Sequence, residues 1–436
     1  MGKSCRLKAS GDDIGDSKGM SFHTGSVSYA RFKVTGTPPT GVDQAFLDTL
    51  EEHTLSASRI GVPDEIESGW VAGRHVFDER FAVEAISFGD RVVLGMRVDT
   101  NRVPSELKRA YRSMAEGELT EGSVTGFLSR REKMVAKETA EERCRNELVE
   151  GKHRKSKLVP ILWDFKRQTI LMPGFSDGVV KALGDLLHKS FDCGIESLSA
   201  GAMASAWCTR KGLSREYEDA KPSAFTPPPS AVSEDGEGIH TPFVPWSRQD
   251  PEPKDYLGNE FLLWLWHECE QGTGMIELDS GSAGVVIDRT LDMDCAWDAT
   301  GKMTMRGDRV TRQGEVKHAR KVGKWPRKAG LVVASSETGG ASGGGWELTF
   351  QADRFLLTSV KLPKADDVET PRDLMEHRVE SLMELDEIMV EMYYRFLEYR
   401  LGGHWSRVRQ TVGAWMRGKH DEVKVAENEP AMVAAR

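Results

Sequence analysis

The sequence lacks any long apolar stretch. None of its 436 residues lies in an apolar run approaching the roughly 18 residues that a membrane-spanning helix needs. The N-terminus also lacks the apolar centre of a secretory signal. The six cysteines are scattered without a Cys-x-x-Cys pair, which favours reduced thiols over a disulfide or zinc framework. These absences predict a cytoplasmic protein that binds no membrane.

Common catalytic motifs are missing as well. The sequence contains no HExxH zinc motif and no Walker A phosphate loop, so we expect no enzyme activity, no cofactor and no metal. One alternative stays open. Asp308 and the tripeptide Glu315-Val316-Lys317 carry the residue types that hold Mg²⁺ and orient an attacking water in some nucleases. The spacing is short for that pattern, and the segment does not have the pattern of a strand.

One stretch reverses the acidic balance of the chain. Residues 302–328, called the basic segment from here on, hold ten lysines and arginines against two acids, an excess of +8 in a chain of net charge −9. Apolar residues interrupt the cations and predict that the segment is anchored on a folded body. A solvated charged face is one interpretation, and a surface for a phosphate backbone is the other. The candidate DNA-binding residues are Lys302, Arg306, Arg309, Arg312, Lys317, Arg320, Lys321, Lys324, Arg327 and Lys328.

A second, smaller basic cluster occupies residues 151–157 and contains no acid. It is expected to support the same kind of contact. Phosphate contacts position a protein on DNA but carry no base code, and no recognition helix or zinc finger is evident in the sequence. Binding without sequence specificity is therefore predicted. The candidate residues of this cluster are Lys152, Arg154, Lys155 and Lys157.

Hydrophobic periodicity and turn signals predict an α+β protein. The expected architecture is an antiparallel β core with a projecting helical hairpin, a second β-rich half after a proline-rich linker, and C-terminal helices. The predicted order is a disordered N-terminus (1–25), an N-terminal half (26–213) with the hairpin at 103–150, the linker (214–255), a C-terminal half (256–365), a helical extension (366–418) and a disordered tail (419–436).

Several short motifs occur in a characteristic order. They are Glu67-Ser68-Gly69-Trp70-Val71 before a hairpin, Val103-Pro104 at the start of a helix, Arg130-Arg131-Glu132-Lys133 in a charged helix, and Gly323-Lys324 with Lys328 ahead of a strand at Leu331. In this order, over roughly residues 26–365, the chain resembles the family of the bacterial recombination-associated protein RdgC. It departs from the family in its long linker and in the segment beyond residue 366.

The resemblance implies a protein that binds double-stranded DNA without sequence specificity. It further implies a ring-like homodimer with a basic central hole that restrains a RecA-type recombinase, and hence a nucleoid-associated location. On this basis, replacement of Lys324 and Lys328, which match the family pattern, is expected to weaken DNA binding.

Two apolar stripes also suggest self-association. One is the sparse stripe of the charged helix that follows Phe127, and the other is the long stripe from Leu382 to Phe396. Neither is obviously covered within one chain, so we expect a homodimer. A protein-interaction scaffold that uses the C-terminal helices is the remaining alternative.

Overall fold

The structure, a computed structural model, describes residues 22–55, 66–122, 126–173, 176–228, 242, 253–298, 300–335, 345–364 and 369–418. The predicted disordered tail and most of the predicted disordered N-terminus lie outside these residues. Residues 22–25 are described, and Phe22 is buried, with its carbonyl oxygen accepting a hydrogen bond from Arg378 Nε at 2.9 Å. No described helix has the length and apolarity required to cross a bilayer.

The N-terminal half alternates strands with helices. Four of its helices begin at a capping side chain: Asp43, Ser129, Ser176 and Ser199 each accept a backbone N–H of the first turn. Its strands are β1 (Val27–Thr35), β2 (Ile66–Val71), β3 (Ser87–Phe88), β4 (Arg91–Asn101), β5 (Arg154–Asp164), β6 (Thr169–Met172) and β7 (Gly194–Ser197). Its helices are α1 (Gln44–Glu52), α2 (Val83–Ile86), α3 (Ser105–Glu121), α4 (Arg130–Val149), α5 (Asp177–Phe191), α6 (Ala200–Lys211) and α7 (Ser214–Asp219).

The C-terminal half begins with a buried helix and ends with two helices. Its elements are α8 (Tyr256–Gln271), β8 (Met275–Leu278), β9 (Gly281–Cys295), β10 (Met303–Gly307), a 3-10 turn (Val310–Arg312), α9 (Gly314–Lys321), β11 (Lys324–Ser335), β12 (Trp346–Gln351), β13 (Leu356–Lys361), α10 (Pro371–Leu401) and α11 (Trp405–Met416). Helix α10 starts with a capping box between Thr370 and Asp373 and with proline at its first position.

The described strands form one 13-stranded antiparallel sheet. Its order is β10-β9-β11-β12-β13-β1-β6-β5-β4-β2, with β3 beside β4, β7 beside β1 and β8 beside β9. Strand β1 joins the two halves. Val27 and Tyr29 pair with β13, whereas the stretch from Ala30 to Lys33 pairs with β6. The predicted α+β class and antiparallel core are confirmed.

Each half of the sheet is covered by its own set of helices. Helices α1 and α5 cover the N-terminal half, where the rings of Phe46 and Phe191 stack 5.2 Å apart beside Trp163. In the C-terminal half, Phe261 of α8 lies 5.8 Å from Phe396 of α10, measured between ring centroids. Strand β12 alternates strictly, so every second residue enters this core while the intervening residues form a more polar outer face.

The helical hairpin predicted at 103–150 is present. Helices α3 and α4 follow β4 and precede β5 in the chain, and they pack mainly against each other. Their buried residues are small: Ala115 from α3, and Ala136, Ala140 and Cys144 from α4. A pair of helices that buries so little apolar surface projects from the body rather than covering the sheet.

The structure differs from the predicted linker at residues 214–228. Residues 214–219 form α7, and residues 220–228 are held against the core rather than extended from it. Glu260 Oε1 accepts a hydrogen bond from the backbone N–H of Ser223 at 2.7 Å, and Phe225 is buried. The proline-rich remainder, residues 229–241 and 243–252, lies outside the described residues.

The predicted C-terminal extension is an integral part of the core. The apolar stripe of α10 faces α8 and the sheet within the same chain, so it does not supply the free dimer face that the sequence suggested. Periodicity identifies a buried face but not the element that buries it. The residues of this stripe, each at most 1% exposed, are Leu382, Leu385, Met389, Met392, Tyr393 and Phe396.

This packing predicts a large stability effect at Phe396. We expect Phe396→Ala to lower the free energy of unfolding by about 3–5 kcal/mol, because the cavity opens among Phe261, Trp264 and Tyr393. Phe127→Ala at the hairpin, where the side chain is 83% exposed, should change it by less than about 0.5 kcal/mol. Urea unfolding followed by circular dichroism measures both. Equal effects of the two changes would contradict the placement of α10 in the core.

Candidate nucleic-acid interface

The basic segment folds at one end of the sheet. Its first part, β10, is an edge strand of the sheet and pairs with β9. Gly307 (φ 143°) and Arg309 (φ 48°) then turn the chain into the 3-10 turn and α9. Val310 and Val316 are completely buried and anchor this turn on the body. The apolar residues within the segment thus fix the backbone from which the cations extend.

Half of the segment's cations remain available to a partner. They have exposed side chains and make no ion pair with another described residue. Lys302 is also exposed, but its Nζ lies 4.0 Å from the Asp294 carboxylate, a weak contact in water. The two acids of the segment, Asp308 and Glu315, are exposed beside them. The five available cations are Arg306, Arg309, Arg312, Lys317 and Lys321.

Arg320 does not belong to this surface, which corrects the prediction for this residue. Its side chain is buried, and Nη1 donates to Glu270 Oε2 at 2.9 Å. The guanidinium carbon lies 4.0 Å from the centroid of the Trp415 ring. Burial lowers the pKa of Arg320, and the Glu270 carboxylate opposes part of that shift. Arg320 therefore fastens α9 to α8 and α11, and it cannot reach a phosphate backbone from this position.

The last three candidates of the segment lie inside strand β11 and are half-buried, rather than ahead of the strand as predicted. The Nζ of Lys324 donates to the Gly301 carbonyl oxygen. Arg327 lies 3.6 Å from the carboxylate of Asp353, and Lys328 stands opposite Asp292 of β9.

The early start of this strand has a local explanation. Pairing between β11 and β9 shifts register just after Pro326. The irregularity accommodates a residue that lacks a backbone N–H, so a proline does not end this strand.

Two residues of the nuclease alternative, Glu315 and Lys317, do not face the same site. Glu315 and Lys317 lie on helix α9, where residues two apart point to different sides. Glu315 faces a groove that also contains His318 and Lys324, whereas Lys317 faces a separate cleft with Arg309 and Arg312. Within the described residues, no three His, Cys, Asp or Glu side chains come together as a metal site.

The second basic cluster is partly used for structure, and the DNA contact predicted for Arg154 stays a prediction, since its side chain is 33% exposed. Arg154 donates to Asp99 at 3.0 Å and to Glu67 at 3.1 Å, and both carboxylates are buried. Arg97 also holds Asp99 through a bidentate pair with distances of 2.9 and 2.7 Å. This network stiffens the sheet where the helical hairpin leaves it. Lys152 pairs with Glu150, which raises the lysine pKa.

Lys155 and Lys157 remain exposed on strand β5. The sheet order places β12, β13, β1 and β6 between β5 and β11. The strand registers also set Lys324 and Lys155 toward opposite ends of the strands. The two basic clusters of one chain thus do not form one continuous patch.

Two acids that organise this surface had no signal in the sequence. Asp288 Oδ1 accepts the backbone N–H of Arg309 at 2.9 Å and fixes the turn. Glu270 receives Arg320 and two tryptophan N–H groups. Asp288 lies 21 residues from Arg309, and Glu270 lies 50 residues from Arg320 and 145 residues from Trp415, so only the fold brings these partners together.

Comparison with protein-family models and with curated proteins finds no match for this chain.

The difference between adjacent residues of α9 gives a test of the geometry. Arg320→Gln leaves Glu270 without its cation, so we expect the free energy of unfolding to fall by about 3 kcal/mol. Lys321→Gln removes an exposed charge and should change it by less than about 0.5 kcal/mol. Thermal and urea unfolding of both variants measures this difference. A stable Arg320→Gln variant would show that this cation is not structural.

Proposed function

We propose that the protein binds double-stranded DNA without sequence specificity through the basic segment. The observation that carries this proposal is the set of five exposed cations, unpaired among the described residues, on β10, a turn and a short helix, with the turn and helix fixed by buried valines. In an acidic chain, such a local field attracts a polyanion to one place and discourages it elsewhere. Fixed backbone anchors also reduce the entropy that these side chains lose on meeting phosphates.

The chemistry of the surface supports backbone contact rather than base readout. Long flexible cations at the end of a sheet suit phosphates spaced along a duplex, and such contacts carry no sequence information. We propose that the protein binds the duplex without cleaving it. Linear duplex incubated with the pure protein and Mg²⁺ should remain intact, and loss of full-length DNA would favour the nuclease alternative instead.

Self-association through the helical hairpin completes the proposal. Met114, Phe127, Met134 and Val135 are exposed on α3, α4 and the loop between them, where apolar groups gain from coverage by a second copy. A dimer would bring two basic segments to one duplex and limit the access of a RecA-type recombinase to it. Light scattering at micromolar concentration tests the dimer, and a strand-exchange assay tests the effect on a recombinase.

Duplex binding is expected to depend steeply on salt. With five phosphates neutralised at about 0.9 per contact, log K should fall with log salt at a slope of about −4 to −5. Two duplexes of unrelated sequence should give the same slope and nearly the same affinity. Fluorescence anisotropy from about 50 to about 300 mM salt provides the measurement. A flat response, or strong preference for one sequence, would refute the proposal.

Charge reversal at two of the free cations should weaken this binding for every sequence. We expect Arg306→Glu with Lys321→Glu to make the salt slope shallower by about two units, because two phosphate contacts are lost. Exposed cations of the N-terminal half provide a matched control, since Arg80→Glu with Lys181→Glu changes the net charge equally. Equal losses in the two variants would mean that total charge, not the basic segment, determines binding.

A further inference from the structure

A cleft of about 550 Å³ opens beside the basic segment. One wall comes from the end of α8 with Trp266 and Cys269, and another comes from β9 with Val286 and Ile287. The third wall is the turn and the start of α9, which contribute Arg309, Arg312 and Lys317. Its volume lies in the range of sites that hold a small molecule or a single nucleotide.

One of the two acids that line the cleft is paired with a cation. Glu270 Oε2 accepts from Arg320 at 2.9 Å and from Trp415 Nε1 at 3.0 Å, while its Oε1 accepts from Trp266 at 2.8 Å. Asp288 Oδ1 accepts the N–H of Arg309, but its Oδ2 lies 4.0 Å from Arg289 Nε, and Arg289 pairs more closely with Glu347 at 3.0 Å. The three cations of the cleft therefore outnumber its one uncompensated carboxylate, and the cleft is positive overall.

These cations are presented by a rigid frame. Arg309 adopts a left-handed backbone conformation that its bond to Asp288 holds in place. Val310 and Val316, on either side of Arg312, are completely buried. Such a frame presents Arg309, Arg312 and Lys317 along one recess instead of spreading them over a flat surface. One guanidinium group can donate to two phosphate oxygens at once, and the lysine ammonium adds a compact positive charge.

From this arrangement we propose that the cleft binds a phosphate monoester carried by a nucleotide. A phosphate monoester bears about −1.5 to −2 charges at pH 7, against about −1 for a diester within a strand. Three cations that line the same cleft therefore favour the monoester. A terminal group can also enter a recess, whereas an internal diester lies along a continuous backbone. The exposed side chain of Val286 offers an apolar contact for the attached sugar or base.

The monoester has two sources: the 5′-phosphorylated end of a DNA strand or a free nucleotide. The first rests on the proposed function, and the second does not. Arg306 and Lys321 do not line the cleft, so general DNA binding can be weakened without changing the cleft, and the preference for a phosphate monoester, taken as a ratio, reports on the cleft alone. This separation makes the two hypotheses independently testable in the full-length chain.

Two arms test the proposal. The first compares the affinity of the protein for one blunt duplex with and without 5′-phosphates at 150 mM salt, and we expect the phosphorylated form to bind at least fivefold tighter. The second titrates deoxyadenosine monophosphate, with deoxyadenosine as the control, by calorimetry.

Arg312→Gln with Lys317→Gln should abolish the preference in either arm, and the single change Arg312→Gln should reduce it. Arg306→Gln with Lys321→Gln should lower duplex affinity but keep the ratio between phosphorylated and unphosphorylated ends.

The outcomes separate the two sources and the two hypotheses. Preference for the phosphorylated end without nucleotide binding assigns the cleft to DNA ends, and nucleotide binding alone assigns it to a free nucleotide. If no duplex binds, the proposed function fails, and the calorimetric arm still decides the cleft. The inference is overturned if neither arm distinguishes phosphorylated from unphosphorylated ligand, or if the cleft variant, folded by circular dichroism, keeps the wild-type preference.

Discussion

The fold depends on strand β1 and on the buried ion pair that it carries. One edge of β1 receives β13 and then β7, while its other edge receives β6, so both halves of the sheet pair with the same nine residues. Arg31 in this strand is 3% exposed and contacts the Asp386 carboxylate of α10 at 2.5 Å. Burial alone would lower the pKa of Arg31, but Asp386 and Tyr29 raise it. A buried charge without its partner is costly, so this pair fixes α10 to the strand that joins the halves.

Helix α10 helps to cover the sheet of the C-terminal half. One face of β11 and β12 is apolar and needs a cover, and α8, α10 and α11 provide it. A second buried pair, between Glu260 of α8 and Arg400 of α10, ties these helices together, and Arg400 also donates to the Lys221 carbonyl oxygen at 2.6 Å. The same contacts hold the segment around Phe225 beneath α11, where Arg417 donates to its carbonyl oxygen at 2.9 Å. Helices that resemble an added extension in sequence therefore complete the core.

Local patterns predicted the elements of this chain better than their partners. Apolar spacing predicts a helix from Trp405 to Met416, and α11 has these bounds, while the charged hairpin is recognisable because so few of its residues are apolar. The sequence also predicts a strand from Phe81 to Phe88, but residues 83–86 form a helical turn, and β3 contains only Ser87 and Phe88. Arg320 and Lys321 show where a sequence pattern cannot decide. They are adjacent cations in one basic run, and only the position of Glu270 on α8 makes one structural and leaves the other free.

The location of the cations of the basic segment helps to decide whether they bind a ligand or serve the fold. Cations on an edge strand discourage pairing with another sheet, which would account for Lys302 and Arg306 on or next to β10 without any ligand. That explanation does not extend to Lys324 and Lys328, because β11 lies between β9 and β12. It also leaves out the cations of the turn and α9, which protect no strand edge. A phosphate-binding role therefore rests mainly on Arg309, Arg312, Lys317 and Lys321, whose exposure and fixed backbone have no evident structural use.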